Sequence, residues 1–290
     1  MTLRAHTSNP GDRSAPPAST PLYYWADHIW LKCEHQQISG SFKYRGAYAA
    51  VATSPSNHYV TGSSGNHGLA LAHAAAALRP SARITCFATS ITTDKATRLG
   101  VLGVDLRFVD GDNDDRDRTA REFATRTGAT FVHSSDDVRM VAGGAALASE
   151  ILAELPAAAR LVAPVGGGGL LAGLLLGTRG GGHDVEIVGV EPAGAARMRL
   201  SLEQAAVTAL AEVDTICDGA RAGRPSRLPF EIAAALRPRL YAIHDDQVRL
   251  TRDDLERRGL WVEYTAALAL AAAPFDDGRP TVVVLTGGNR

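Results

Sequence analysis

"ARLVAPVGGGGLLAG", residues 159–173, runs an apolar stretch straight into four glycines and then into an Ala/Leu-rich segment. The order reads as a buried strand, a tight loop and the opening of a helix. Backbone N–H groups of such a loop converge on an anion, and the positive end of the helix dipole adds to the attraction. A tight turn alone would need only one or two glycines. Gly166, Gly167, Gly168 and Gly169 are therefore read as a phosphate cradle. The loop also satisfies GxGxxA through Gly167, Gly169 and Ala172, and Glu191 ends the next apolar run where a ribose-binding acid would sit. On this loop alone the dinucleotide reading stays open.

Working outward, the same unit recurs. "HYVTG" (58–62) leads through "SSGN" into "HGLALAHAAAALR", "ARITCFAT" (82–89) precedes "TTDKATRLGVLG", and "DLRFVD" (105–110) precedes "DRDRTAREFATRTG". "TFVHSS" (130–135) precedes "GGAALASEILAEL", while "VEIVGVEP" (185–192) and "PTVVVLTGGN" (280–289) supply further strands. Near the start, "HIWLKCE" (28–34) reads as a strand and "SFKYRGAYAAVA" (41–52) as a helix with Ser41 as its cap. Strands alternating with helices argue for an α/β architecture with mostly parallel sheets.

Composition narrows the partner. A chain of 290 residues, 45% hydrophobic and 21% charged, buries a sizeable core in one large or two modest domains. Thirty Lys plus Arg nearly cancel 31 Asp plus Glu, so no global field recruits nucleic acid or an anionic membrane. A small-molecule partner is expected. Cys33, Cys86 and Cys217 are far apart and lack metal-ligand spacing, which fits a reducing compartment. The opening "MTLRAHTSNPGDRSAPPAST" has no apolar signal core, and no later stretch is long enough to span a bilayer, so a flexible leader on a cytoplasmic protein is expected.

Two short motifs carry chemistry. "TGSSGNHG" (61–68) sits between strand and helix, and Ser63, Ser64 and Asn66 add side-chain groups to its N–H donors, as a carboxylate site requires. It is no nucleophile elbow, because Asn66 stands where GxSxG needs glycine. "SGSFKYRG" (39–46) places Lys43 between Phe42 and Tyr44 at the start of a helix. On a solvated helix face such a lysine would be ordinary.

Taken in order, "KCEHQQISGSFKYRGA", "SSGNHG", "PVGGGGLLAG", "VEP", "CDGA", "EYTAA" and "TGGN" resemble pyridoxal-phosphate enzymes of fold type II, closest to the serine/threonine dehydratase and serine racemase branch. The resemblance covers about residues 20–289. It decides against the dinucleotide reading, which gives Lys43, SSGNHG and TGGN no joint role. It implies two open, twisted, mostly parallel α/β domains of tryptophan synthase β type, with the active site in the cleft between them. The large domain would comprise 1–52 and 136–290, with 1–19 as the leader, and the small domain 53–135.

The resemblance also implies roles. Lys43 would attach the cofactor covalently and act as base at the substrate Cα, helped by a helix N-terminus and partial desolvation that both disfavour the ammonium. Phe42 and Gly219 would face the two sides of the pyridine ring, and Asn66 its phenolic oxygen. Gly166 to Gly169 would hold the phosphate, and Thr286 would meet the ring nitrogen. Ser63, Ser64, Asn66 and His67 would bind the amino-acid substrate, with Ser64 on the opposite side of Cα. The implied reaction is β-elimination from a hydroxyl-bearing amino acid, in a homodimer. Racemisation, β-replacement and a cofactor-binding pseudoenzyme partner are the alternatives.

Many relatives in this branch bind a divalent cation through the glutamate matching Glu191 and an acidic residue six positions later. Here that position is Arg197, so no metal is expected. Arg197 would either pair with Glu191 or point to solvent.

Overall fold

The computed structural model describes residues 15–63, 65–273, 275 and 277–288. In chain order the strands are β1 (Leu22–Ala26), β2 (Ile29–Lys32), β3 (His58–Gly62), β4 (Arg83–Ala88), β5 (Asp105–Phe108), β6 (Thr130–Phe131), β7 (Arg160–Pro164), β8 (Glu186–Pro192), β9 (Arg239–Ile243) and β10 (Thr281–Val284). The helices are α1 (Lys43–Ala52), α2 (Asn66–Leu78), α3 (Thr93–Val101), α4 (Asn113–Thr127), α5 (Val138–Glu154), α6 (Gly169–Gly180), α7 (Arg197–Glu203), α8 (Arg227–Leu236), α9 (Asp245–Arg257) and α10 (Tyr264–Leu270). No helix among the described residues is long and apolar enough to cross a membrane.

Two sheets organise the molecule. One has six strands in the order β1-β2-β10-β7-β8-β9, parallel except for the β1–β2 pair. The other is wholly parallel, in the order β5-β4-β3-β6. The strand β1, a segment to which the sequence reading assigned no element, forms a hairpin with β2 across Asp27 and His28. Both have positive φ (44° and 66°), as a two-residue hairpin turn demands.

The last residues of the expected leader are not free of the fold. Residues 1–14 lie outside the described part, but Ala15 to Ser19 are docked: the Tyr44 hydroxyl donates to the Ala15 carbonyl (2.6 Å), and Gln37 and Ala18 exchange two hydrogen bonds.

Helices α1, α5 and α6 fix the spacing around the cleft by backbone contact. A Cβ on Gly143 of α5 would lie 2.4 Å from the Gly46 nitrogen of α1, and one on Gly173 of α6 would lie 2.6 Å from the Gly144 Cα. Only glycine permits such approach. Tyr44, Ala47, Ala50 and Val51 of α1 join the core under the four-stranded sheet, while Leu147, Ala148 and Ile151 of α5 join the core of the six-stranded one. A charge cluster, buried at Lys32, Glu34 and Arg45, seats α1 further: Arg45 bonds Glu34 (2.8 Å) and Glu150 (2.8 Å), and Lys32 bonds Glu150 (2.7 Å) and the exposed Glu154 (2.9 Å).

One sequence expectation fails here. Ser41 does not cap α1. Its backbone bridges Gly287, its hydroxyl is buried without a partner, and Phe42 occupies the cap position with no side-chain bond. The TGGN segment, far away in sequence, claims the backbone that a local cap would have organised.

Candidate active site

The loops at the carboxyl ends of β3 and β7 open into one cleft of about 1170 Å³, where open α/β sheets bind their ligands. Lys43, Ser63, Asn66, His67, Gly167 and Gly219 all line it.

Lys43 is the first residue of α1, and its Nζ donates to the Ser134 carbonyl at 2.6 Å, 5.0 Å from the centre of the Phe42 ring. Burial pushes the amine down from the ordinary lysine value to about 8, against the opposing pull of Glu263. A fraction of it is therefore unprotonated near neutral pH. Phe42 is tied to Thr286 by a backbone bond from its N–H to the Thr286 carbonyl (3.0 Å).

In the SSGNHG loop, Gly65 (φ +145°) turns the chain into α2. Ser63 Oγ accepts the N–H groups of Gly65 and Gly68, each at 3.1 Å, so this hydroxyl shapes the loop and keeps only its proton for a ligand. Asn66 donates its amide to both oxygens of Glu263 (3.0 and 2.9 Å). His67 is buried, with Nε2 3.2 Å from the Val132 carbonyl; burial pushes it down to about 3, so it is a neutral imidazole. Ser64 lies outside the described residues.

At the glycine loop, Gly168 has φ +94° and opens α6. A Cβ on Gly167 would sit 2.2 Å from Ser135 Oγ, and one on Gly166 would sit 2.6 Å from the Gly219 carbonyl. The loop is thus pressed between the Ser135 segment and the Gly219 turn, and the first N–H groups of α6 have no intrahelical acceptor. Glu191 is not placed for a ribose: it is buried and accepts the N–H groups of Met198 (2.8 Å) and Arg199 (2.9 Å). Arg197 neither pairs with it by hydrogen bond nor faces solvent. It is fully buried and bonds backbone carbonyls instead.

Several site residues were not singled out from the sequence. Glu263 begins the quoted EYTAA motif and is buried, which pushes its carboxyl well above the usual carboxylate range, with Asp218 adding to the effect. Lys95 of α3 reaches across to Asp218 (2.7 Å) and stands 4.0 Å from Glu263. Ser135 and Ser226 hydroxyls lie 2.8 Å apart beside Gly167. His133 steadies this side: its Nδ1 accepts the N–H groups of Ser135 (3.1 Å) and Asp136 (2.7 Å), and its Nε2 lies 3.2 Å from Asp117. These partners are distant in sequence, and only Glu263 and Asp218, in the quoted EYTAA and CDGA motifs, carried a local signal.

A mostly parallel α/β protein whose cleft gathers a glycine loop at one helix N-terminus, the SSGNHG loop at a second and the Lys43 amine at a third defines a class of protein that holds a small anionic ligand at the ends of its strands. The chain belongs to the pyridoxal-phosphate dependent enzyme family, whose profile matches residues 17–287. It is 32% identical over 270 residues to an L-threonine ammonia-lyase of Geobacter sulfurreducens, covering 90% of this chain and 67% of that one. It is 30% identical over 270 residues to an L-threo-3-hydroxyaspartate ammonia-lyase of Pseudomonas sp, covering 90% and 84%. The structure of maize serine racemase superposes with a TM-score of 0.87 at 25% identity, covering 94% of this chain and 89% of that one. The chain spans about two thirds of the length of the curated threonine ammonia-lyases and dehydratases it matches.

The residues present fit the family's cofactor. Thr286 Oγ1 is buried with no hydrogen-bond partner, an orphan that a ring nitrogen would satisfy. At the glycine loop, Gly166 and Gly167 are half-buried at the cleft, and a Cβ on any of Gly166 to Gly169 would press on Ser135, Gly219, Met198 or Pro229.

Proposed function

We propose that the chain is an ammonia-lyase that removes the β-hydroxyl from an amino acid such as serine or threonine, yielding a 2-oxo acid and ammonia. The observation that carries this reading is the Lys43 amine, held down to about 8 by burial in the cleft that also contains the SSGNHG loop. The names of the curated ammonia-lyases that the chain resembles support it.

Gly166 to Gly169 would hold the cofactor phosphate, Thr286 the ring nitrogen, Phe42 and Gly219 the ring faces and Asn66 the phenolic oxygen. Bound there, pyridoxal phosphate supplies an electron sink for the pair left when a Cα–H bond breaks. The N–H groups opening α2, with Ser63, would bind the substrate carboxylate, and Lys43 Nζ would take the Cα proton. The β-carbon–oxygen bond then breaks, and the hydroxyl takes up a proton equivalent to the one removed from Cα by Lys43 and leaves as water. The unsaturated amino acid takes up water and releases ammonia. Neutral His67 cannot supply a proton at physiological pH and would line the pocket.

The division into a large unit (1–52 and 136–290) and a small one (53–135) belongs to the same proposal, with Lys95–Asp218 and Asn66–Glu263 bridging the two. So do the cytoplasmic location and the homodimer, which sedimentation of the purified protein would test. The deciding experiment is a panel of L- and D-amino acids screened for 2-oxo acid and ammonia. Steady release from a β-hydroxy amino acid is expected. Inversion at Cα without ammonia would favour the racemase reading, and no turnover of any member would overturn both.

A further inference from the structure

Among the described residues Arg197 is the largest fully buried side chain, and none of their carboxylates bonds its guanidinium. Nη1 donates to the carbonyls of Val165 (3.2 Å) and Gly166 (3.0 Å), and Nη2 to those of Ala220 (2.6 Å) and Ala195. Taking a guanidinium out of water is costly, and carbonyl dipoles with a nearby Glu191 charge only partly offset it. Exposed to water, the same side chain would carry no such cost. Its partners explain the location.

Val165 and Gly166 enter the anion cradle, and Ala220 follows Gly219 on the facing turn. In a trans peptide the N–H points opposite to the C=O of the preceding residue. Holding the Val165 and Gly166 carbonyls toward Arg197 therefore turns the N–H groups of Gly166 and Gly167 the other way. A cation on the carbonyl also polarises the peptide and strengthens its N–H as a donor. Glu191 completes the arrangement from behind: by accepting the N–H groups of Met198 and Arg199 it fixes the first turn of α7, which begins at Arg197.

We propose that Arg197 is a positioning residue for the phosphate cradle: its guanidinium anchors the back of the loop so that the Gly166 and Gly167 N–H groups face the cofactor phosphate, and it fastens the cradle to the Gly219 turn. This rests on the cofactor site proposed above, and not on the reaction carried out there.

The test measures binding to the apo protein by fluorescence, comparing pyridoxal phosphate with pyridoxal, which lacks the phosphate. Arg197→Met should weaken pyridoxal phosphate about tenfold or more, the worth of one charge-assisted hydrogen bond, while pyridoxal changes about twofold at most. Arg197→Lys, which keeps the charge but reaches fewer carbonyls, should fall between. Methylguanidinium should restore phosphate affinity to Arg197→Ala. Equal weakening of both ligands, or weakening of neither, would overturn the proposal.

If the neutral variants do not fold, hydrogen exchange of the wild type decides. On adding inorganic phosphate, amides of 166–169 and of 219–221 should slow together, since Arg197 joins them. Slowing confined to the cradle would overturn the link. Because none of these readouts requires turnover, failure of the amino-acid panel would leave them interpretable.

Discussion

Lys43→Met in the apo protein should raise stability at neutral pH and lower it at alkaline pH. The wild-type amine is lowered from 10.5 to about 8, chiefly by burial. Below pH 8 both folded and unfolded lysines are charged, and the folded one carries the whole desolvation cost. Between 8 and 10.5 the unfolded chain binds more protons than the folded one, so wild-type stability rises with pH; above 10.5 the cost is gone. The shift corresponds to about 3 kcal/mol. Methionine keeps the aliphatic stem but leaves the Ser134 carbonyl without its 2.6 Å donor, at a cost of about 1 kcal/mol. The variant should thus be more stable by about 2 kcal/mol at pH 7 and less stable by about 1 kcal/mol near pH 10.5. In melting temperature that is a swing of roughly 6 °C for a chain of this size. Paired thermal melts from pH 7 to 10.5 measure it, and repeating them in a Glu263→Gln background removes the opposing acid and should extend the window downward. A difference between the two proteins that stays flat across this range would refute the reasoning.

Borohydride reduction of the cofactor-loaded protein should add one cofactor mass on the peptide containing Lys43; a label on any other lysine would sink that assignment. Thr286→Asp would place a carboxylate at the orphaned hydroxyl, favouring a protonated ring and deeper delocalisation, so solvent deuterium uptake at Cα should rise relative to 2-oxo acid release. An unchanged ratio would mean that the hydroxyl only packs. With the Arg197 guanidinium on the carbonyls of Gly166, Ala195 and Ala220, chelator should leave turnover unchanged and Mg²⁺ should not stimulate it, whereas Arg197→Asp should create a metal response. Activity lost to chelation and restored by Mg²⁺ in the wild type would contradict this.

What the sequence made legible was local. The strand, glycine loop and helix at 160–180 and the strand, SSGNHG loop and helix at 58–78 are each encoded within twenty-odd consecutive residues by period and turn chemistry. What it hid was non-local or atypical. Strand β1 was missed because Asp27 and His28 take left-handed φ without the usual glycine. Strand β9, at the sheet edge with no fully buried residue, offers only the four-residue run Leu240–Ile243, which periodicity alone does not tell from a helix segment. Ser41 looked like a cap because serine before a helix commonly is one, and only pairing with Gly287 makes it otherwise. The Asn66–Glu263 contact spans 197 positions, so no window reveals it. Arg197 was visible as a departure from the family pattern, but both destinations considered for it were wrong, because carbonyls from three segments had to be assembled before they could hold it.

These hidden residues follow one logic. With Arg160 and its partners apart, the buried charges border the elements that carry the site. Lys32, Glu34, Arg45 and Glu150 seat α1 with Lys43 at its tip, Lys95 and Glu263 meet at the SSGNHG loop, and Glu191 and Arg197 back the glycine cradle. Apolar residues of similar volume often equal or exceed buried ion pairs in stability. What charges add is direction, because a guanidinium or carboxylate satisfied at several fixed points admits few alternative placements of the backbone around it. A fold whose proposed chemistry requires an amine, a carboxylate site and a phosphate cradle in fixed relation gains from that direction even where the charges lower its stability.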